Sequence, residues 1–257
     1  MPALIDLGVV LVGYLLGSIP FGLIWVKLIT GKDIRHIASG RTGGTNAARA
    51  AGPGAGILTA LMDGAKGVAA VWIAVALSPD SHWIHVLAPV AAIVGHNYSV
   101  FLIERQANRR VRFRGGAGGA PTVGGAIGLW WPTALIVMPI ALLVFFGVGY
   151  ASVTTLSVAL SILAIFAIRY AMRLATFPDV VYGAIALFLL LWALRPNLKA
   201  LASGQERFHG WRPWRGSRPL FPAQGDSQAG LRERTAPPHK SKQMRKSRRA
   251  KSVPARR

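Results

Sequence analysis

The sequence predicts an all-α membrane protein, a polytopic bundle of helices that cross a bilayer several times. Of its 257 residues, 52% are hydrophobic, and the mean hydropathy is +0.40. Several apolar runs approach or exceed the roughly 18–20 residues that span a bilayer core. A water-soluble domain would struggle to hide this much apolar surface. The chain has no cysteine, which excludes disulfides, thiolate metal sites and a cysteine nucleophile.

Six apolar segments predict the membrane helices in chain order. Pro20 lies inside the first segment and is expected to kink it, because proline removes a backbone hydrogen bond. The fourth segment is interrupted at Trp131–Pro132, so we expect two short, broken helices there and about seven spans in all. The segments are Ala3–Ile29, Gly54–Leu77, Trp83–Ile103, Thr122–Tyr150, Ser152–Tyr170 and Val180–Leu194.

The basic residues between the segments predict the orientation, because cytoplasmic loops of membrane proteins carry an excess of lysine and arginine. We expect loops Gly31–Pro53 and Glu104–Pro121 to be cytoplasmic. The connection Ser78–His82 contains no lysine or arginine, so we expect it and the N-terminus to lie outside. Seven spans place the C-terminal arm in the cytoplasm, whereas six would place it outside. The loop residues that carry this argument are Lys32, Arg35, Arg41, Arg49, Arg105, Arg109, Arg110, Arg112 and Arg114.

The composition changes near the C-terminus. From Arg195 onward there are 17 lysines and arginines against three acidic residues, a large part of the net charge of +21. We expect residues 1–206 to form the membrane domain and residues 207–257 to form a disordered, basic cytoplasmic tail. Contact with anionic lipid headgroups is favoured over nucleic-acid binding for such a tail beside membrane helices, so no specific nucleic-acid partner is expected. The oligomeric state stays open.

The first polar loop has the composition of an anion site at the membrane edge. Asp33–Arg49 reads DIRHIASGRTGGTNAAR, in which glycines let backbone N–H groups turn toward an anion and arginines supply charge. The alternative is a tight turn with positive-inside arginines, in which Ser39 caps the following helix. The candidate ligand contacts are Ser39, Gly40, Arg41, Gly43, Thr45, Asn46 and Arg49.

Further polar groups lie at other segment ends. Asp63 and Lys66 share a helix face, as a structural ion pair or with the lysine at a substrate phosphate, and His96 is a helix-packing donor or a site residue. If the loops converge on one cytoplasmic face, they would form a membrane-edge site. The second loop contributes Arg114, Gly115 and Gly116, and the end of the last segment contributes Arg195, Asn197 and Glu206.

Together these motifs resemble the bacterial acyl-phosphate-dependent glycerol-3-phosphate acyltransferases. The resemblance covers about Leu11–Glu206 and is most specific in the first signature. The matching stretches are Gly17–Gly22, Asp33–Arg35, Ser39–Arg49, Asp63–Gly67, Gly95–His96, Phe113–Gly119, Arg195–Asn197 and Gly204–Glu206.

The resemblance implies a seven-helix membrane enzyme with a cytoplasmic active site. It would transfer an acyl group from acyl phosphate to the 1-hydroxyl of glycerol 3-phosphate, giving lysophosphatidic acid and phosphate in phospholipid synthesis, without a metal or cofactor. Ser39, Arg49 and Asn197 would be catalytic. The substrate-binding residues would be Gly40, Arg41, Gly43, Thr45, Asn46, Lys66, His96, Arg114, Gly115, Gly116, Arg195 and Glu206.

The chain departs from the family pattern at several positions. Ala117 stands where a lysine is usual and Leu194 where a histidine is usual; Arg41 replaces an asparagine and Ser99 a proline, and Glu104–Val111 resembles an insertion. We expect Arg41 or Arg114 to supply the missing cation. Two alternatives stay open: a catalytically degenerate relative that binds lipid precursors without turnover, and a small transporter or channel.

Overall fold

The computed structural model describes residues 2–105 and 111–208, which form a helical bundle with one β-hairpin. Arg109, Arg110 and most of the basic tail lie outside these ranges, so the boundary at residues 206/207 stays a prediction. The elements are α1 (Pro2–Ser18), α2 (Phe21–Thr30), a 3-10 helix (Ile34–His36), α3 (Gly44–Ala51), α4 (Pro53–Leu77), α5 (His82–Asn97), β1 (Ser99–Arg105), β2 (Val111–Arg114), α6 (Gly119–Leu129), α7 (Thr133–Gly147), α8 (Ala151–Ala171) and α9 (Phe177–Ala202).

The predicted class, a mostly helical membrane bundle, is confirmed. Among the described residues, four helical stretches are long and apolar enough to cross a bilayer: Pro2–Thr30, Pro53–Leu77, Ala151–Ala171 and Phe177–Ala202. Helices α5, α6 and α7 have 16, 11 and 15 residues. The number of seven spans therefore stays a prediction.

The first predicted segment is broken rather than merely kinked. Helix α1 ends at Ser18 and α2 begins at Phe21, with Ile19–Pro20 between them. Proline has no N–H to donate and its ring disfavours the helical conformation of the preceding residue, which explains the position of the break. Carbonyl groups near the break need other donors, and the buried Lys66 supplies them.

The third predicted segment, Trp83–Ile103, is wrong at its C-terminal end. Helix α5 stops at Asn97, and Ser99–Arg105 forms strand β1, which pairs with β2 in an antiparallel hairpin. A short apolar run such as Val100–Ile103 is compatible with either a helix or a strand, so periodicity alone could not separate them. The predicted second loop is thus partly a hairpin.

The later segments agree more closely with the prediction. The break at Trp131–Pro132 is confirmed, since α6 ends at Leu129 and α7 begins at Thr133. Helix α9 is longer than Val180–Leu194 at both ends. It starts with a capping box between Thr176 and Asp179, and it continues past the internal Pro196 to Ala202.

Small residues bring α1 and α5 into close contact. A Cβ atom on Gly13 or Gly17 would overlap the backbone at Ala88 or Ala92, and one on Gly95 would overlap the backbone of α1. Glycines four residues apart allow two membrane helices to approach closely in this way. Helices α5, α6, α7, α8 and α9 share an apolar core. Its buried residues include Val86, Ile93, Ala126, Val137, Ile162, Phe166, Tyr182 and Leu190.

We predict that Gly17→Val destabilises the protein by about 1–3 kcal/mol, the usual cost of overpacking a well-filled interior. The matched control is Gly8→Val on the same helix, because nothing lies within 4 Å of a Cβ built at Gly8. Thermal unfolding of the two variants in detergent measures the difference. Equal melting temperatures for Gly17→Val and Gly8→Val would contradict the close packing of α1 on α5.

Candidate functional site

A cavity with a volume of about 640 Å³ lies where the two glycine-rich loops meet the C-terminal half of α9. Each of the three chain segments that the sequence singled out contributes to its wall. Eight predicted site residues line it: Ser39, Gly40, Arg41, Arg114, Gly115, Gly116, Arg195 and Asn197.

The first loop enters the cavity through a strained turn. Ala38 has φ 44° and Gly40 has φ 66°, and the left-handed region is costly for a residue with a side chain. A Cβ on Gly40 would also lie 2.9 Å from the Arg35 carbonyl oxygen and 3.1 Å from Arg114 Nη1. Only glycine therefore fits between the two cationic segments. Ser39, next to this turn, is exposed.

Asn46 holds this turn from inside. Its Nδ2 donates to the carbonyl oxygens of Ile37 at 3.0 Å and Arg41 at 2.9 Å, and more weakly to Ile34 at 3.4 Å. Asn46 is buried and is not in the cavity wall. The interpretation of Ser39 as a helix cap is wrong, because α3 begins at Gly44 with Gly43 as its N-cap.

Arg41 joins the first loop to α9. Pro196 has no N–H, so the helix leaves the Trp192 carbonyl without its usual donor. Arg195 Nε donates to that oxygen at 3.2 Å, and Arg41 Nη2 donates to the neighbouring Ala193 carbonyl. Burial lowers the pKa of Arg41. Its Nη1 has no hydrogen-bond partner among the described residues, which leaves a buried cationic donor at the cavity wall.

Four charged side chains connect the first loop to the hairpin. Arg35 Nη2 lies 2.6 Å from Asp33 Oδ2, and its Nη1 lies 3.3 Å from Glu104 Oε1. Glu104 Oε2 accepts from Arg114 Nε at 2.6 Å. The hydrogen bonds from Arg35 lower the pKa of Asp33 to about 2, so this carboxylate is charged at neutral pH.

Backbone contacts fix the second loop against the end of α5. Gly116 N donates to the His96 carbonyl at 2.8 Å, and Thr42 N donates to the Gly115 carbonyl at 3.3 Å. A Cβ on Gly115 or Gly116 would collide with His96, and for Gly115 also with Asn97. The glycines of this loop therefore allow a close backbone approach, and the approach aligns both loops along one wall.

Lys66 and His96 lie inside the bundle and not in the cavity wall. Lys66 Nζ lies 2.8 Å from Asp63 Oδ1 and 3.2 Å from His96 Nδ1. It also donates to the carbonyl oxygens of Gly17 at 3.0 Å and Ile19 at 2.9 Å. These contacts agree with the structural ion pair, and a contact of Lys66 with a substrate phosphate stays a prediction.

Arg49, Glu206, Gly43 and Thr45 are also absent from the wall. Glu206 accepts from Ser152 N at 3.2 Å and from Ser152 Oγ at 2.5 Å, so it caps the N-terminus of α8. Burial and then the charge of Arg207 lower the pKa of Arg49, while the charge of Glu206 opposes them. The contacts of Glu206 thus join the chain after α9 to the start of α8.

Sequence reasoning missed several wall residues, and Asn97 is the most informative. It is 6% exposed, and neither its Oδ1 nor its Nδ2 has a hydrogen-bond partner among the described residues. Its position at the end of an apolar segment beside a glycine-rich loop was the available signal. The newly found part of the wall is completed by Tyr98, Arg112, Phe113, Trp192, Ala193, Pro196 and Ala200.

Comparison with known proteins agrees with this arrangement. A family model described as glycerol-3-phosphate acyltransferase matches residues 7–204. The glycerol-3-phosphate acyltransferase of Rubrobacter xylanophilus is 36% identical over 209 residues, 81% of this chain and 98% of that protein. The glycerol-3-phosphate acyltransferase 2 of Thermotoga maritima is 34% identical over 202 residues, 77% of this chain and 93% of that protein.

Two crystal structures of PlsY, an integral membrane glycerol 3-phosphate acyltransferase, share the fold. The glycerol 3-phosphate form superposes with a TM-score of 0.68 and 29% identity, over 80% of this chain and 96% of that one. The lysophosphatidic acid form gives 0.66 and 27%, over 79% and 94%. The fold, the matched residues and the full-length relatives agree: this chain belongs to the glycerol-3-phosphate acyltransferase family.

Proposed function

We propose that this protein transfers an acyl group from acyl phosphate to the 1-hydroxyl of glycerol 3-phosphate, producing lysophosphatidic acid and inorganic phosphate. The observation that carries the proposal is that the three signature segments meet in one cavity wall. Both substrates bear a phosphate, and Arg41, Arg114 and Arg195 line that cavity. Guanidinium groups bind phosphate oxygens strongly because their donors match the geometry of the anion.

The arginines also account for the departures from the family pattern. Ala117 and Leu194 stand where a lysine and a histidine are usual, and neither of them lines the cavity. Leu194 is 4% exposed and packs inside the bundle. Arg41 Nη1 is buried and has no hydrogen-bond partner in residues 2–105 and 111–208, while Arg114 Nη1 lies beside Gly40. We assign to these two arginines the role of the missing cation.

The chemistry needs no covalent enzyme intermediate, since acyl phosphate already carries a leaving group. The 1-hydroxyl oxygen attacks the carbonyl carbon, the bond from that carbon to the phosphate oxygen breaks, and a phosphate oxygen takes the hydroxyl proton. Fixed donors at the developing oxyanion and the departing phosphate lower the barrier, and fixed orientation lowers it further. Ser39, Asn97 and Asn197 supply uncharged polar groups at the wall for these tasks.

We place the cavity on the cytoplasmic side, with the N-terminus outside. The support is the concentration of basic residues in the two loops and beyond Arg195. Arg49 and Glu206 act in this proposal by holding the loop and helix ends rather than by touching substrate. The same bilayer would supply the acyl donor and receive the lysophosphatidic acid, which suits a site at a membrane edge.

The direct test is turnover by the purified full chain with a long-chain acyl phosphate and glycerol 3-phosphate. We expect lysophosphatidic acid and phosphate in equal amounts, and no product when either substrate is omitted. Tight binding of both substrates without product would instead support the alternative that the protein is a catalytically degenerate relative. Ala117 and Leu194 are the reason for considering that alternative. If the protein neither binds the two substrates nor turns them over, both the acyltransferase and the degenerate relative are excluded.

We predict that Arg41→Asn and Arg114→Ala each lower kcat/KM. Loss of one charge-assisted contact of about 1.5–3 kcal/mol corresponds to roughly one to two decades in rate. The control is Arg105→Ala, an exposed arginine on β1 that does not line the cavity. If both cavity variants retain full activity, these arginines do not replace the missing lysine.

The two buried asparagines are predicted to respond in opposite ways to alanine. Asn46→Ala removes three backbone contacts and is expected to cost about 1–3 kcal/mol of stability. Asn97→Ala removes no side-chain hydrogen bond among the described residues, so its melting temperature stays near that of wild type while kcat/KM falls at least tenfold. Thermal unfolding and steady-state kinetics on the same preparations separate them. A destabilised Asn97→Ala protein with normal kinetics would exclude a substrate contact.

A further inference from the structure

We propose that Glu104 is a positioning residue, which holds the Arg114 guanidinium at the cavity wall so that it can receive the phosphate of acyl phosphate. The inference rests on the proposed acyltransferase function and goes beyond it. It gives a role to the hairpin segment that resembles an insertion in the sequence. Glu104 itself does not line the cavity, so it acts through Arg114.

The register of the hairpin places these side chains on one face. Glu104 pairs with Arg112, and Ile103 pairs with Phe113. Side chains alternate between the two faces of a strand, so Arg112 and Arg114 share a face of β2. Arg114 pairs with Ser99 beyond a shift in register, and its 2.6 Å contact with Glu104 places it beside the carboxylate that faces Arg112. Ile103 and Phe113 lie on the opposite face and are exposed, although Phe113 also lines part of the cavity. The strand pairing thus delivers one carboxylate to the arginines that border the cavity.

The contacts of Arg114 fix its guanidinium at two points. Its Nε donates to Glu104 Oε2 at 2.6 Å, and its Nη1 donates to the Arg35 carbonyl at 3.4 Å. Of its five N–H donors, these contacts use two, and the others make no hydrogen bond with another described residue and can therefore serve a ligand. Because Nη1 also lies against Gly40, the held guanidinium borders the Ser39–Gly40 turn. We assign this part of the wall to acyl phosphate, since the Ser39 hydroxyl and the Arg114 guanidinium can both donate to its phosphate oxygens.

The distances and the existing ion pairs show that Glu104 is the partner of Arg114 rather than of Arg35. Arg35 already has a bidentate partner in Asp33, whose contacts with it are 2.6–3.0 Å long. Its contact with Glu104 is longer, at 3.3 Å, than the 2.6 Å contact of Glu104 with Arg114. One carboxylate per arginine leaves the group of four side chains neutral overall. The guanidinium of Arg114 is thereby anchored while its outer donors stay available.

The benefit is placement rather than stability. The side chains of Arg114 and Glu104 are 23% and 27% exposed, so solvent screens the pair and its contribution to folding is small. An arginine without this anchor would populate several rotamers, and it would have to be ordered each time a phosphate binds. Removing Glu104 therefore weakens ground-state binding of acyl phosphate, which raises KM for that substrate more than it lowers kcat.

A double-mutant cycle tests the inference on the purified full chain. The proteins are wild type, Glu104→Leu, Arg114→Ala and the double variant, with Glu104→Gln and Arg105→Ala beside them. We expect Glu104→Leu to lower kcat/KM for acyl phosphate about tenfold when Arg114 is present and less than twofold in the Arg114→Ala background. Glu104→Gln keeps an acceptor oxygen and is expected to retain more activity, and Arg105→Ala to resemble wild type.

Equal losses in the two backgrounds would overturn the inference, since Glu104 would then act through the fold alone, and so would full activity of Glu104→Leu. If wild type gives no product, the proposed function fails, and the thermal shift caused by a long-chain acyl phosphate on the same four proteins decides the inference. A shift that Glu104→Leu reduces only in the presence of Arg114 supports it. An equal reduction, or no shift in any protein, overturns it.

Discussion

The buried ammonium group of Lys66 is the contact on which the arrangement of the loops depends. It binds the carbonyl oxygens of Gly17 and Ile19 at the break between α1 and α2, pairs with Asp63 on α4 and reaches His96 on α5. Inside a bilayer, water cannot satisfy the carbonyls that a proline break exposes, so a side chain must do so. Removing one partner of such a buried pair typically costs about 3–5 kcal/mol.

The effect of this contact extends to the cavity through the backbone. The carbonyl of His96 accepts from Gly116, and Gly115 in turn accepts from Thr42, so the end of α5 positions both glycine-rich loops. Glycines permit these approaches because any side chain would collide with the end of α5. The cavity wall is thus set by short backbone contacts between rigid elements. Such a wall can present donors to an anion without reorganising when it binds.

Much of the fold and part of the site followed from the sequence, for identifiable reasons. Proline positions and long apolar runs predicted a kink at Pro20, where the helix is in fact broken, and the break at Trp131–Pro132, because both effects are local. The hairpin was missed because a strand is defined by its partner, which lies beyond residues 106–110 in the chain. Charge and glycine content identified the three segments that meet. Composition could not separate wall residues from residues that hold the wall: Lys66, Asn46 and Glu206 look like ligand contacts in the sequence, yet their polar atoms bind the protein itself.

The same distinction bears on how a chain can lose a lysine from a phosphate site. A lysine in a glycine-rich loop is a flexible point charge, whereas an arginine presents a planar set of donors whose value depends on orientation. Replacing the one by the other therefore requires an anchor as well as a charge. In this chain Arg41 donates to the carbonyl of Ala193, next to the Trp192 carbonyl that Pro196 leaves without its helical donor. Arg114 donates to the carboxylate of Glu104 on β1. A proline inside α9 and a hairpin, two departures from regular membrane helices, thus lie at the supports of the cations at the wall.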